Sequence, residues 1–173
     1  VTVPAGLPEH AHRHAGDGWV PCRCGRRHWG LFGAAGLLLT RRDGTGTATH
    51  VVLQHRATWS DQGGTWGVPG GACAPGESAV DAALREAHEE AGIDQGSVGI
   101  RGVHVLDHGD WSYTTVLADE LVEVHPSETD SESIEVTWVR LDDVVAHPLL
   151  PAFAEAWPTL RARLDGRTGP DPR

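Results

Sequence analysis

The stretch Gly71–Ile93, GACAPGESAVDAALREAHEEAGI, constrains this chain more than any other. It opens on glycines and a Pro-Gly turn. A helical pattern follows, with Val80, Ala83, Leu84, Ala87 and Ala91 forming one apolar stripe. Ser78 is a good N-cap, Asp81 three residues later makes an acidic variant of the capping box, and Gly92 is suited to end the helix. At 100° per residue, Glu86, Glu89 and Glu90 fall within about 100° of arc beside the stripe. Carboxylates so close repel one another and weaken an isolated helix. Hard divalent cations bound through oxygen ligands remove that repulsion. A merely solvated acidic face would suffice if these three residues stood alone.

Composition narrows the function. The 173 residues fit one domain with a core of ordinary size, and the net charge is -10. That balance argues against a protein that coats a nucleic acid polymer, which needs a basic face. A nucleotide substrate is still open, because a bound cation neutralises its charge. No basic region followed by an apolar run marks a signal peptide, and no run approaches the ~20 apolar residues of a membrane span. Three cysteines do not make a disulfide framework. The default expectation is a cytoplasmic protein, and its acidic, Trp-rich surface permits a homodimer.

Three segments are expected along the chain: an N-terminal extension over residues 1–30, a catalytic domain over 31–164 and a tail over 165–173. His10, His12 and His14 alternate in the first segment and read as a solvated arm. Cys22-Arg23-Cys24-Gly25 with His28 offers three zinc ligands. The usual knuckle spaces its cysteines by two residues and needs a fourth ligand, for which Cys73 is remote. A small hairpin with two inward-facing thiols is therefore the preferred reading. Strands are expected at Phe32 to Thr40, Thr49 to His55, Ile100 to Leu106, Ser112 to Ala118 and Ile134 to Leu141. A terminal helix is expected over Pro151 to Leu164, with Phe153, Trp157, Leu160 and Leu164 inward and Pro158 threatening a kink.

Gly71, Glu77, Arg85-Glu86, Glu89-Glu90, Gly92 and Ile93 occur at the spacing of the Nudix hydrolase signature, which the chain closely resembles. Every defined position is met, with Ala87 a small occupant of an aliphatic slot. Trp66-Gly67-Val68-Pro69-Gly70 is similar to the usual lead-in. The resemblance implies an α/β/α sandwich around a mixed sheet, and Mg²⁺ or Mn²⁺ as cofactor. By position it makes Glu86, Glu89, Glu90 and the Gly70 carbonyl metal ligands. It makes Glu77 and Arg85 a bracing ion pair, and Glu135, or with less support Glu132, a further ligand or the base.

The chemistry fits independently. A diphosphate linkage repels a nucleophile until cations neutralise its oxygens and activate water. A carboxylate then accepts the proton, and positioning does most of what is left. Arg56, with Arg42 as a second choice, would steady phosphates. Trp59, Trp111 and Tyr113 are candidate substrate contacts, the Trp rings as base-stacking platforms. Family members acting on ADP-ribose often carry a Pro past the signature, where this chain has His108 and Asp110. Those acting on dinucleoside polyphosphates often carry a Tyr that Tyr113 does not clearly match. The resemblance therefore favours a nucleoside triphosphate pyrophosphohydrolase, with oxidised purine nucleotides as a natural substrate. An ADP-ribose, nucleotide-sugar or dinucleotide pyrophosphatase is the alternative, and a nucleotide-binding module without turnover is another.

Overall fold

The computed structural model describes residues 14–166; His10 and His12 lie outside the described residues, as does most of the expected tail. A small antiparallel hairpin comes first, β1 (Trp19–Pro21) with β2 (Arg27–Trp29). The main sheet has seven strands. Its path runs β5 (Trp66–Gly67), β4 (Ala48–Arg56), β3 (Ala34–Arg42), β8 (Ser112–Glu120) and β7 (Val98–Asp107). β6 (Gly70–Ala72) pairs with β3, and β9 (Ser133–Arg140) pairs with β4. The β3–β8 ladder is parallel and the others antiparallel, so the sheet is mixed. The expected α/β sandwich is what forms. β3 starts two residues later than the sequence pattern indicates, because Gly33 turns through φ 85 and leaves Phe32 outside and exposed.

Period-two alternation sorts the core onto two faces. Leu37, Leu39, Val52, Val116 and Val136 pack beneath helix α1 (Ala79–Ala91) through Ala83, Leu84, Ala87 and Ala91. Leu38, Val51, Leu53, Leu117 and Val139 face helix α2 (Pro151–Leu164) through Phe153, Trp157, Leu160 and Leu164. α2 runs through Pro158 as one helix instead of splitting there. Pro158 and Ala154, whose carbonyl loses its partner, are both exposed, so water can serve the freed acceptor. No helix among the described residues is long and apolar enough to cross a membrane.

One feature of the pairing positions the site. Along one edge, β3 pairs with β4 only through Thr40, Arg41 and Arg42, and with β6 through Ala34, Ala35 and Gly36. The sheet therefore opens between β4 and β6. Gly70, at the start of β6, lies at that opening.

Candidate active site

Helix α1 is anchored at both ends by local chemistry. Ser78 Oγ accepts from the Asp81 N–H at 3.1 Å and donates to the Asp81 carboxylate at 2.7 Å. Gly92 ends the helix in the left-handed region at φ 63, its N–H on the His88 carbonyl at 3.1 Å. The loop before β9 then covers the exposed end of the helix. Ser127 N–H donates to the Ala91 carbonyl at 3.1 Å, Thr129 N–H to that of Glu90 at 3.3 Å, and the Thr129 hydroxyl to that of Glu89. These bonds serve carbonyls that a helix end leaves without partners.

The carboxylates of α1 meet the glycine turn directly. Glu90 is only 4% exposed, and its Oε2 accepts from the Gly70 N–H at 2.8 Å. A Cβ on Gly71 would stand 2.7 Å from the Glu86 carboxylate, so only glycine lets that carboxylate lie against the loop. Gly70 is equally confined, because a Cβ there would come within 2.4 Å of the Ala35 carbonyl oxygen. Among the described residues, the guanidinium that hydrogen-bonds this cluster is that of Arg85. It donates to Glu77 through Nε at 2.8 Å and Nη2 at 3.0 Å, and to the Ala72 carbonyl at 3.1 Å. Its Nη1 reaches Glu86 at 2.8 Å and Glu89 at 3.2 Å. Glu77 also accepts from the Ala74 N–H at 2.8 Å, which ties the loop to the helix.

Three carboxylates thus share the Arg85 guanidinium while Glu90 lies beside them without it, and the imbalance appears in their proton affinities. Burial pushes Glu90 well above the usual carboxylate range, and the charges of Glu86 and Asp130 add to it. Burial raises Glu86 as well, against the pull of Arg85. Glu77 is lowered instead, chiefly by its hydrogen bonds from Arg85. An all-oxygen donor set with excess negative charge and too little protein cation suits a hard divalent ion.

Glu135 and Arg42 lie away from the α1 carboxylates, and the other sequence candidates take varied positions. Glu135 pairs with His55 on β4, so both side chains belong to the α2 face, and His55 stacks on Trp66 there at 4.6 Å. Glu135 borders a separate cleft of about 310 Å³ with Trp66 and His147, across the sheet from the α1 carboxylates. The pleat points its side chain away from that cluster. Arg42 sits at the far end of β3, on Asp119 at 3.0 Å and the Leu164 carbonyl at 3.2 Å. Six residues of strand, about 20 Å, separate it from Gly36. Trp111 stacks on His28 at 4.3 Å and 11°, and its Nε1 donates to the Trp29 carbonyl, so one ring face is already covered. Tyr113 packs with the α2-side core, its hydroxyl against Gly36 and Gly70; burial first, then the charge of Glu90, raises its pKa. Trp59 is 42% exposed in the loop after β4. Arg56 ends β4, its Nε on the Asp61 carbonyl at 3.1 Å.

Residues that sequence reasoning passed over also gather here. His14 Nε2 lies 3.8 Å from Glu86 Oε1 and 3.5 Å from Arg85, so it docks on the cluster instead of belonging to a solvated arm. Asp130 comes close enough to Glu90 to raise it, and Gln54, buried on the α1 face of β4, lies beside Glu90 as well. The acidic loop carrying Asp130 was visible in the sequence; its return to α1 was not. Cys73 is buried in the α1-side core, with its thiol pushed up by burial.

The fold and this carboxylate-lined turn define a recognisable class. The Nudix domain pattern matches residues 30–162, and the chain belongs to the Nudix hydrolase family. It is 53% identical over 160 residues to a nucleoside triphosphate pyrophosphatase/Nudix hydrolase fusion protein of Bifidobacterium longum, covering 91% of this chain and 33% of that one. The chain thus spans about a third of the fusion protein. It is 44% identical over 171 residues to a putative 8-oxo-dGTP diphosphatase 3 of Mycobacterium tuberculosis, covering 92% of this chain and 76% of that one. Among solved structures it superposes on a Nudix hydrolase from M. smegmatis, RenU, with TM-score 0.78 and 43% identity, covering 91% of this chain and all of that one.

Proposed function

We propose that this chain hydrolyses the diphosphate linkage of nucleoside triphosphates, releasing pyrophosphate, with oxidised purine nucleotides as the preferred substrate class. The observation that carries the reaction class is the Glu86–Glu89–Glu90 cluster, packed against a glycine turn and left without enough protein cation. The names of the mycobacterial and bifidobacterial relatives support the triphosphate choice.

In this reading Glu86, Glu89, Glu90 and the Gly70 carbonyl hold Mg²⁺ or Mn²⁺. Such ions supply charge neutralisation at phosphate oxygens and make water a better nucleophile. The chain's own residues do the remaining work. Arg85 and Glu77 hold the turn on the helix, so the donor atoms do not reorganise as charge develops. Glu90, buried and held by the Gly70 N–H, is the carboxylate we assign to accept the water's proton. Arg56, at the end of β4, neutralises outer phosphates, and the exposed ring of Trp59 stacks on the base.

A substrate panel with Mg²⁺, reading released pyrophosphate and phosphate, tests this. Turnover of 8-oxo-dGTP ahead of dGTP is expected. Preference for ADP-ribose or a dinucleoside polyphosphate would replace the substrate assignment. Binding without turnover on every nucleotide would instead identify a sensing module.

A further inference from the structure

A second cluster of ligand-type side chains lies outside the carboxylate site. The β1–β2 turn is tight: Cys22 N–H donates to the Arg26 carbonyl at 2.9 Å, and Gly25, at φ 86, donates back to Cys22 at 2.9 Å. It holds Cys22, Cys24 and His28 together at the tip of the hairpin. The fourth member comes from far along the chain. His108, in the turn between β7 and β8, closes the group, and the four ligand atoms all lie within 4.8 Å of one another.

The internal geometry says more than proximity. His28 Nε2 is 3.1 Å from Cys24 Sγ and also 3.1 Å from His108 Nδ1. An imidazole nitrogen offers either one in-plane N–H or one lone pair, so it makes one well-directed hydrogen bond and not two. A thiol and two imidazoles converging on one point are what a shared cation explains. Tetrahedral zinc, with Zn–S about 2.3 Å and Zn–N about 2.0–2.1 Å, places ligand atoms roughly 3.3–3.8 Å apart. The closest pairs, at 3.1 Å, are slightly shorter than that range, and the widest, up to 4.8 Å, needs to close by about 1 Å.

The surroundings hold the two halves in register without help from the cluster. Arg23 donates to Asp110 through its backbone N–H at 2.8 Å, Nε at 3.0 Å and Nη2 at 2.8 Å. Trp111 stacks on His28, and its Nε1 bonds the Trp29 carbonyl. Second contacts of this kind orient ligating side chains. Cys73, the remote fourth ligand suggested by the sequence, is not in the group.

We propose that Cys22, Cys24, His28 and His108 bind one zinc ion in a closed four-ligand site that clasps the N-terminal hairpin to the β7–β8 turn. Four protein ligands leave no open position, so the ion is structural and not catalytic. The clasp fixes the segment leading into β1, through which His14 reaches Glu86 and Gly16 accepts from the Leu31 N–H.

Elemental analysis of the protein purified without chelator tests the assignment, with about one zinc per chain expected. Cys24→Ser and His108→Ala should each lose most of that zinc, while Glu90→Gln should retain it, which separates this site from the carboxylate one. Cobalt titration of the metal-stripped full chain does not depend on variants folding. Tetrahedral ligand-field bands with a thiolate charge-transfer band are expected, and zinc should restore a Tm that stripping lowers even in excess Mg²⁺. Substoichiometric zinc in the purified protein together with no such cobalt spectrum would overturn the proposal.

Discussion

Glu90 and Glu120 are both shielded carboxylates of the same sandwich, at opposite ends of the β3–β8 ladder, and they are treated in opposite ways. Glu120 accepts from Arg41 Nε at 2.7 Å and Nη2 at 2.6 Å, and also from the Val124 N–H at 2.7 Å. Those bonds hold it below the usual carboxylate range. Its neighbour Asp119 bridges Arg42 at 3.0 Å and Arg101 at 2.6 Å, and Arg41 lies over the Trp138 ring at 4.2 Å. Glu90 meets one backbone N–H, the Gln54 side chain and two other carboxylates, and it is raised, chiefly by burial. The far end is electrostatically complete. Among the described residues no second guanidinium hydrogen-bonds the near-end glutamates, and in the proposed reading a cation from solution completes that end.

The largest effect that breaks this comparison is expected from Glu90→Gln. It should lower kcat by about 10²–10⁴-fold, in the range of a lost acid–base group. Because the amide removes a poorly compensated buried charge, the Tm of the cation-free variant should match or exceed wild type. An unchanged rate would move the site elsewhere.

Next in size is the opposite manipulation at the far end. Arg41→Met leaves Glu120 shielded and uncompensated, and should cost about 2–3 kcal/mol. Denaturant melts should show that loss while kcat stays near wild type. A large fall in kcat would mean that the two ends are coupled.

Trp59→Ala should raise KM about 10-fold with kcat little changed, as expected for one lost base–aromatic stack. The same change at Trp111 should perturb the hairpin instead, lowering Tm more than it raises KM.

The smallest expected effect is in the pH dependence. Glu86 and Glu90 are raised above the ordinary 4.5, so the cation-free folded chain holds extra protons just above that value. Their contribution to stability falls as pH rises from 4.5 through the raised values. Glu77 and Glu120 act oppositely: lowered, they stabilise above the ordinary value and lose that stabilisation as pH falls through their folded values. Divalent cations displace protons from Glu86 and Glu90, so the Tm increase on adding Mg²⁺ should be larger near pH ~8 than near pH ~5.5. Glu90→Gln should flatten that difference, and calorimetry across the pH range would show it.

Much of the helix was legible in the residues. Ser78, Gly92 and the alanine stripe specify its ends and its buried face through contacts within a few residues, and 100° per residue places the glutamates without reference to the rest of the chain. Glu135 shows where such reading stops. Its type and neighbourhood were right for a ligand, but a strand residue's face depends on the register with β4, and a one-residue difference reverses it. Asp130 stood in a visibly acidic loop and His14 in a run of histidines, but nothing local showed that these residues or Gln54 would reach Glu90 or Glu86, because each does so through a fold-back of chain. His108 is the plainest case: it read as part of a turn, and it lies beside Cys24 and His28 only because the hairpin docks there.

By itself, then, the sequence determined the anchored helix and its carboxylate flank from short spacings and periodicity, and through its resemblance to a known signature it implied the family and the sandwich. Tertiary structure decided which additional acid faces that flank, which tryptophan keeps a free face and which histidine completes the cysteine pair. Those choices depend on pairing register and docking, which bring together groups separated by tens of residues and leave little trace in the order of the amino acids around each one.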